Sequence, residues 1–179
     1  MPDQLGDIVQ LKYLTPGLAE EVVDDVFALI MDGTSMGIGL LDFLKRRERG
    51  RAHAHVIVLA PELVIGEFPN HQVQWRVLHA ANLNRPLWGR NYEEIAQCKA
   101  GQLLQGRNLG GHHTSAHFLF AGDTPYRGGT LHQGIIAVCS GFQEYGDEAV
   151  SNIITTMLIA RAAEARAKDL EGGGKKAFV

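Results

Sequence analysis

Hydrophobic positions recur along this chain first with a helical and then with a strand period. From Thr15, Leu18, Val22, Val26 and Ile30 fall on one stripe, with Thr15 able to cap, Pro16 suited to a first turn, and Glu20 and Glu21 near the positive end. This predicts a first helix that breaks at Asp32-Gly33. A second apolar stretch, 38–44, runs into Lys45, Arg46, Arg47 and Arg49 before Gly50. That is the order of a helix C-terminus, so the basic run reads as a solvated helix end. Strand-like runs follow at 54–60 and 63–68, and in a third Val73, Trp75 and Val77 alternate with Gln72, Gln74 and Arg76. Alternation predicts one buried and one wet face, and Pro61 and Pro69-Asn70 read as the turns of an antiparallel meander.

After a loop containing Pro86, Asn91 and Glu94 form a capping pair for a helix to about Gln105, closed by Gly106. Strands are predicted at 115–121 and 132–140, joined through the turn-rich segment 122–129. A last helix starts near Asp147 and carries Val150, Ile153, Ile154, Met157 and Leu158 on one face. The order predicts an α+β fold with an antiparallel sheet of about five strands flanked by helices. Residues 1–50 form an N-terminal helical segment packing on a domain at 51–170, and 171–179, which begins Glu-Gly-Gly-Gly-Lys-Lys, reads as a flexible tail. No Gly-x-Gly-x-x-Gly opens a helix after a strand, which argues against a doubly wound dinucleotide fold.

Charge narrows the partners. With 17 Lys+Arg against 20 Asp+Glu the formal net charge is -3, which leaves no basic field for nucleic acid. No run approaches the ~18 apolar residues of a membrane span, and the opening MPDQLGDIVQLKY is too acidic and interrupted for an export signal. Cys98 and Cys139 share no metal-like spacing and predict free thiols in the cytoplasm. Among 179 residues the unusual entries are 21 Gly and 8 His.

The densest polar cluster is GGHHTSAH, containing His112, His113 and His117. On a strand over 115–121, His117 shares a face with Leu119 and Ala121 and can meet His132 of the neighbouring strand. Imidazoles there can ligate haem or a metal, or act as acid and base near neutrality, or can be plain loop and strand residues. His53 and His55 put two imidazoles on one strand face, the minimum for a metal site, although the next carboxylate, Glu62, lies past a turn. A solvent-facing strand start is the simpler reading of that pair. Asp147 caps the last helix; the same helix start with the Ser140-Gly141 turn makes a modest anion site, where Tyr126 and Arg127 can hold a carboxylate. Arg161 lies on the apolar stripe of the last helix, either snorkelling to its edge or marking a pocket or subunit interface. Lys99 sits at the boundary of its helix's apolar face, and Trp75, Trp88 and Tyr92 can stack on a planar ligand or pack in the core. Cys98, Ser115 and Ser140 lack the surroundings of a nucleophile.

The segment 122–148, GDTPYRGGTLHQGIIAVCSGFQEYGDE, resembles the signature of the GlcG/HbpS family, also called the haem-degrading domain. The matching parts are Gly122 and Pro125, the Gly128-Gly129 hairpin, the apolar strand 135–138 ending in Ser140-Gly141, and Asp147-Glu148 opening the last helix. Upstream, Ile95-Ala96 and Lys99-Ala100 look like the family's helix with its Lys-Ala pair. The resemblance covers about 62–168. It departs where Phe68-Pro69-Asn70 replaces an Asp-Gly turn and where 79–90 replaces a Met-Asp-Gly segment. It implies a profilin-like fold, homo-oligomers and members that bind haem or corrinoid, without one fixed activity.

Two functions are therefore carried forward. One is a small-molecule-binding protein of the GlcG/HbpS type that takes haem or another planar ligand, with His112, His113 or His117 nearest to it. The other is an enzyme without an organic cofactor, a lyase, isomerase or hydratase acting on a small acid or aromatic catabolite. There a histidine moves the proton, Arg127 or Arg161 holds a carboxylate and Asp147 stands beside them. Lys99, Tyr126, Arg161 and Trp88 complete the expected binding residues, Lys99 on the strength of the resemblance.

Overall fold

The computed structural model describes residues 8–31, 53–65, 72–107 and 119–173. The elements are β1 (Ile8–Val9), α1 (Pro16–Met31), β2 (Ala54–Val64), β3 (Gln72–Leu83), α2 (Tyr92–Leu104), β4 (Gly129–His132), β5 (Ile135–Ser140) and α3 (Glu144–Glu171). All strand pairings are antiparallel, in the order β3-β2-β5-β4. The two-residue β1 joins β2 at Leu63 and Val64, beyond the residues that β5 pairs with. The fold is α+β, as the order of elements predicts.

Strand alternation divides the core into two layers. Ala54, Val56, Val58 and Ala60 of β2, with Ile135, Ala137 and Cys139 of β5, face α1 and α3. Their chain neighbours Ile57, Leu59, Ile136 and Val138 face Ala96, Ala100 and Leu103 of α2. The two central strands are thus apolar on both sides, as a strand covered on both faces must be. Helix α1 buries Val22, Val26 and Ile30 of the predicted stripe, together with Ala19, Val23 and Phe27.

Several expectations need correction. The runs 54–60 and 63–64 are one strand, with Pro61 inside β2 and not at a turn. Pro61 lies between Leu59, the last residue paired with β5, and Leu63, paired with β1, so that edge has no ladder there for the missing N–H to interrupt. The expected strand 132–140 is a hairpin of β4 and β5 turned by Gln133 and Gly134, whose φ of 45° and 78° suit a two-residue primed turn. Val73 and Val77, expected to be buried, are 65% and 52% exposed. They lie on α2's side of the sheet, but α2 packs on β2, β4 and β5 and does not reach that half of β3. In β3, Leu78 is an extra residue between the pairs Val58–His79 and Leu59–Val77, and it switches the faces. Ala81 and Leu83 therefore point to the α1 and α3 layer. The expected helix at 38–44 and nearly all of the expected strand 115–121 lie outside the described residues; Leu119 and Phe120 are in loop.

Gly141, just after β5, has φ 146° and lies against the start of β2. A methyl group there would collide with the His53 carbonyl oxygen and sit 2.6 Å from Ala54 Cα, whereas one at Gly134 meets nothing within 4 Å. Gly141→Ala is expected to cost about 2 kcal/mol or more and Gly134→Ala only about 1. Urea denaturation of the two variants checks this ordering.

Candidate functional site

The order of strands brings the end of β5, the start of β4 and the ends of two helices to one place, where Lys99 and Asp147 meet. Lys99, on α2, is 1% exposed and donates from Nζ to Asp147 Oδ2 at 2.8 Å and to the Cys139 carbonyl at 3.0 Å. Asp147, in the first turn of α3, also accepts the Phe142 N–H at Oδ1, 2.9 Å away. The contact is possible because Gly128, at φ 132°, carries no side chain: a methyl group there would collide with Asp147 Cβ and sit 2.8 Å from Lys99 Nζ. The Gly128 carbonyl accepts the Cys139 N–H at 3.1 Å and lies 3.1 Å from the buried Ser151 hydroxyl, which tethers the glycine to β5 and α3.

Above this pair opens a pocket of about 520 Å³, within the usual size of small-molecule sites. Lys99 and Asp147 form part of its floor, Tyr92 and Ile95 of α2 one side, and Ser140 through Tyr145 the other. Arg90 and Tyr126 stand at the rim, where the guanidinium donates to the Tyr126 hydroxyl at 3.0 Å. The N-terminus of α3 opens on the same space, and its cap residue Gln143 makes no side-chain capping bond. The helix N-terminus, Lys99 and Arg90 supply attraction for an anion, against the carboxylates of Glu144 and Asp147 in the same lining.

Burial sets the acid–base character of the floor. It pushes the Asp147 carboxyl up to about 7, against the opposing pull of the Lys99 ammonium and the Phe142 N–H. Burial also pushes the Cys139 thiol well up, reinforced by the Asp147 charge, so this free thiol is not a thiolate nucleophile.

Of the residues nominated from the sequence, Lys99, Asp147 and Tyr126 come together here. Asp147 is not the cap residue expected; α3 starts three residues earlier, at Glu144, and Asp147 reaches back to the Phe142 N–H. Arg127 is buried behind the pocket wall, its guanidinium 4.3 Å from the Tyr145 ring centre and its Nε 3.6 and 3.8 Å from Glu144 and Glu148. Trp88 does not line the pocket: its indole donates to the Leu83 carbonyl and it packs edge-on to His55 and Tyr92. Arg161 lies elsewhere, bridging α3 to Glu21 and Asp25 of α1. His53 stacks on Tyr92 with Nε2 3.1 Å from its hydroxyl, and His55 Nδ1 is 2.6 Å from Asn82 Oδ1. His55 is buried and not solvent-facing, and among the described residues no group of three His, Cys, Asp or Glu is placed to hold a metal. His112, His113 and His117 lie outside the described residues.

Arg90 and the 142–144 turn were not singled out from the sequence. Arg90 stands directly before the Asn91 cap, and that position at the head of α2 is the one sequence signal that places a cation near a helix start. No helix among the described residues is long and apolar enough to cross a membrane. Comparison with family models, curated proteins and solved structures finds no match to the chain.

The raised Asp147 carboxyl predicts a pH dependence with a definite sign. The unfolded chain loses this proton near pH 4, whereas the folded chain holds it to about 7. Its contribution to stability is complete below about pH 4 and is lost as the pH rises through about 7. Melting temperatures of the wild type and Asp147→Asn, measured from pH 4 to 8, should therefore converge or cross as the pH rises. Parallel curves would mean that the carboxyl is ionised throughout. Asp123, Glu164 and Asp169, held below the usual range by Arg107, Lys168 and Lys12, act in both proteins and cancel from the difference.

Proposed function

We propose that this chain is a cytoplasmic, homo-oligomeric small-molecule-binding protein of the GlcG/HbpS type, with a profilin-like α+β fold, whose ligand is a small planar carboxylic acid. The observation that carries this reading is Lys99. Its ammonium has three N–H groups, two of which have acceptors among the described residues, Asp147 and the Cys139 carbonyl. The third is available to an acceptor in the pocket. A carboxylate there also meets the N-terminus of α3, while Tyr92 and Tyr126 add aromatic residues to the lining beside a flat body. The resemblance supports the same place, because Lys99-Ala100, Ser140-Gly141 and Asp147-Glu148, which carry it, line or adjoin this pocket.

Haem is the other planar occupant that the resemblance suggests; His112, His113 or His117 would be the residues to hold it, and none of the described histidines lines the pocket.

One observation favours a catalytic use of the same pocket. A carboxyl pushed up to about 7 exchanges its proton near neutrality, where a general acid or base is most effective. A lyase, isomerase or hydratase step on the bound acid then uses Asp147 for the proton, in place of the histidine nominated by the sequence.

Calorimetric titration with benzoate tests the binding reading. Lys99→Met should weaken the affinity about tenfold or more, equivalent to about 1.4 kcal/mol, and Arg90→Ala less, because Arg90 is exposed at the rim. Stoichiometric binding of haem with a Soret shift, together with no response to benzoate, would replace the carboxylate by a tetrapyrrole.

A further inference from the structure

We infer that the ligand of this pocket carries a carbonyl group beside its carboxylate, a 2-oxo acid, and that Lys99 captures it as an imine. The inference rests on the carboxylate-binding reading above and adds a covalent step to it.

Three features of the floor support the step. First, Lys99 is the one lysine among the described residues that lines the pocket, and it reaches there from a helix whose neighbouring residues Ala96, Ala100 and Leu103 are buried in the core. The amine is thus held in place by two hydrogen bonds and almost fully withdrawn from water, and a desolvated lysine is one that serves as a nucleophile toward carbonyl groups. Secondly, a proton acceptor is already in contact, with Asp147 Oδ2 2.8 Å from Nζ. Moving one proton from Lys99 to Asp147 turns a buried ion pair into a neutral amine and a neutral acid, which removes the desolvation cost of both charges. Burial, which raises the Asp147 carboxyl, favours the same transfer. Thirdly, the N-terminus of α3 and Arg90 line the same pocket as Lys99. A carboxylate shared with them leaves Nζ to meet the carbonyl on the adjoining carbon.

The step balances without an oxidant or reductant. The free Lys99 amine adds to the carbonyl carbon, forming the C–N bond, while the carbonyl oxygen takes the proton from Asp147. Asp147 then removes a proton from the nitrogen and returns it to the hydroxyl, which leaves as water as the C=N bond forms. The ammonium has given up two protons to that water, and Asp147 ends as it began, a carboxylate beside a protonated imine.

The test is reduction of the intact protein with borohydride in the presence of pyruvate or phenylpyruvate, followed by intact-mass and peptide mass spectrometry. The expected result is one reduced adduct per chain, located on Lys99 and not on Lys12 or Lys168, which lie on the surface. Benzoate should suppress it by competition. Lys99→Arg, checked for folding by circular dichroism, should lose the adduct. Asp147→Asn should form it at least tenfold more slowly. Binding of benzoate and pyruvate with no adduct, or an adduct spread over surface lysines, overturns the imine and leaves the carboxylate site standing. Failure of both acids to bind overturns the two readings together.

Discussion

A lysine and an aspartate, both almost fully buried, meet where two helices and two strands converge, and the surrounding structure is arranged to allow it. Two charges removed from water contribute little net stability, since their attraction is offset by desolvation. What the pair does is constrain neighbours. Gly128 must lack a side chain, Cys139 must present its carbonyl, and α3 must begin early enough for Asp147 to lie in its first turn. The last of these conditions also places Asp147 in the lining of the pocket. A polar contact that is costly to bury and sits at a cavity floor is a mark of a site more than of a core.

The division of the sheet into two layers explains how such a pair can be buried at all. Helix α2 covers one face of β2 and β5, and α1 and α3 cover the other. Lys99 comes from the first layer and Asp147 from the second, and they touch across the ends of the strands, where the sheet stops separating them. The aromatic group of His53, Trp88 and Tyr92 fills the adjoining corner and holds one wall of the pocket. Position, therefore, comes from packing, and chemistry from a place where packing is interrupted.

Much of this was legible in the residues. Local signals placed α1, the Asn91–Glu94 cap and the last helix, because capping and helical periodicity are written within a few neighbouring positions. Lys99, Asp147 and Tyr126 were nominated, Lys99 on a resemblance, yet nothing local joins residues 48 positions apart, and Lys99 looked like a boundary lysine. Burial of a lysine depends on which elements cover it, and that is tertiary information. Pro61 was misleading for a related reason: a proline is tolerated in a strand where a neighbour is missing, and the neighbours of β2 change along its length. Histidines stand out by number and clustering, whereas the titratable groups lining the cavity, among the described residues, are a lysine, an arginine, an aspartate, a glutamate and tyrosines.

The extra residue at Leu78 acts beyond the packing of its own side chain. Among the described residues β3 pairs only with β2, so its other margin has no partner strand among them, and Val73 and Val77 on this strand are exposed. Such a margin is a template for adding another chain. A bulge halfway along it bends the strand and breaks the regular spacing of donors and acceptors, so an incoming strand can stay in register over only one half. The irregularity that lets β3 serve two layers thus also limits uncontrolled growth of the sheet.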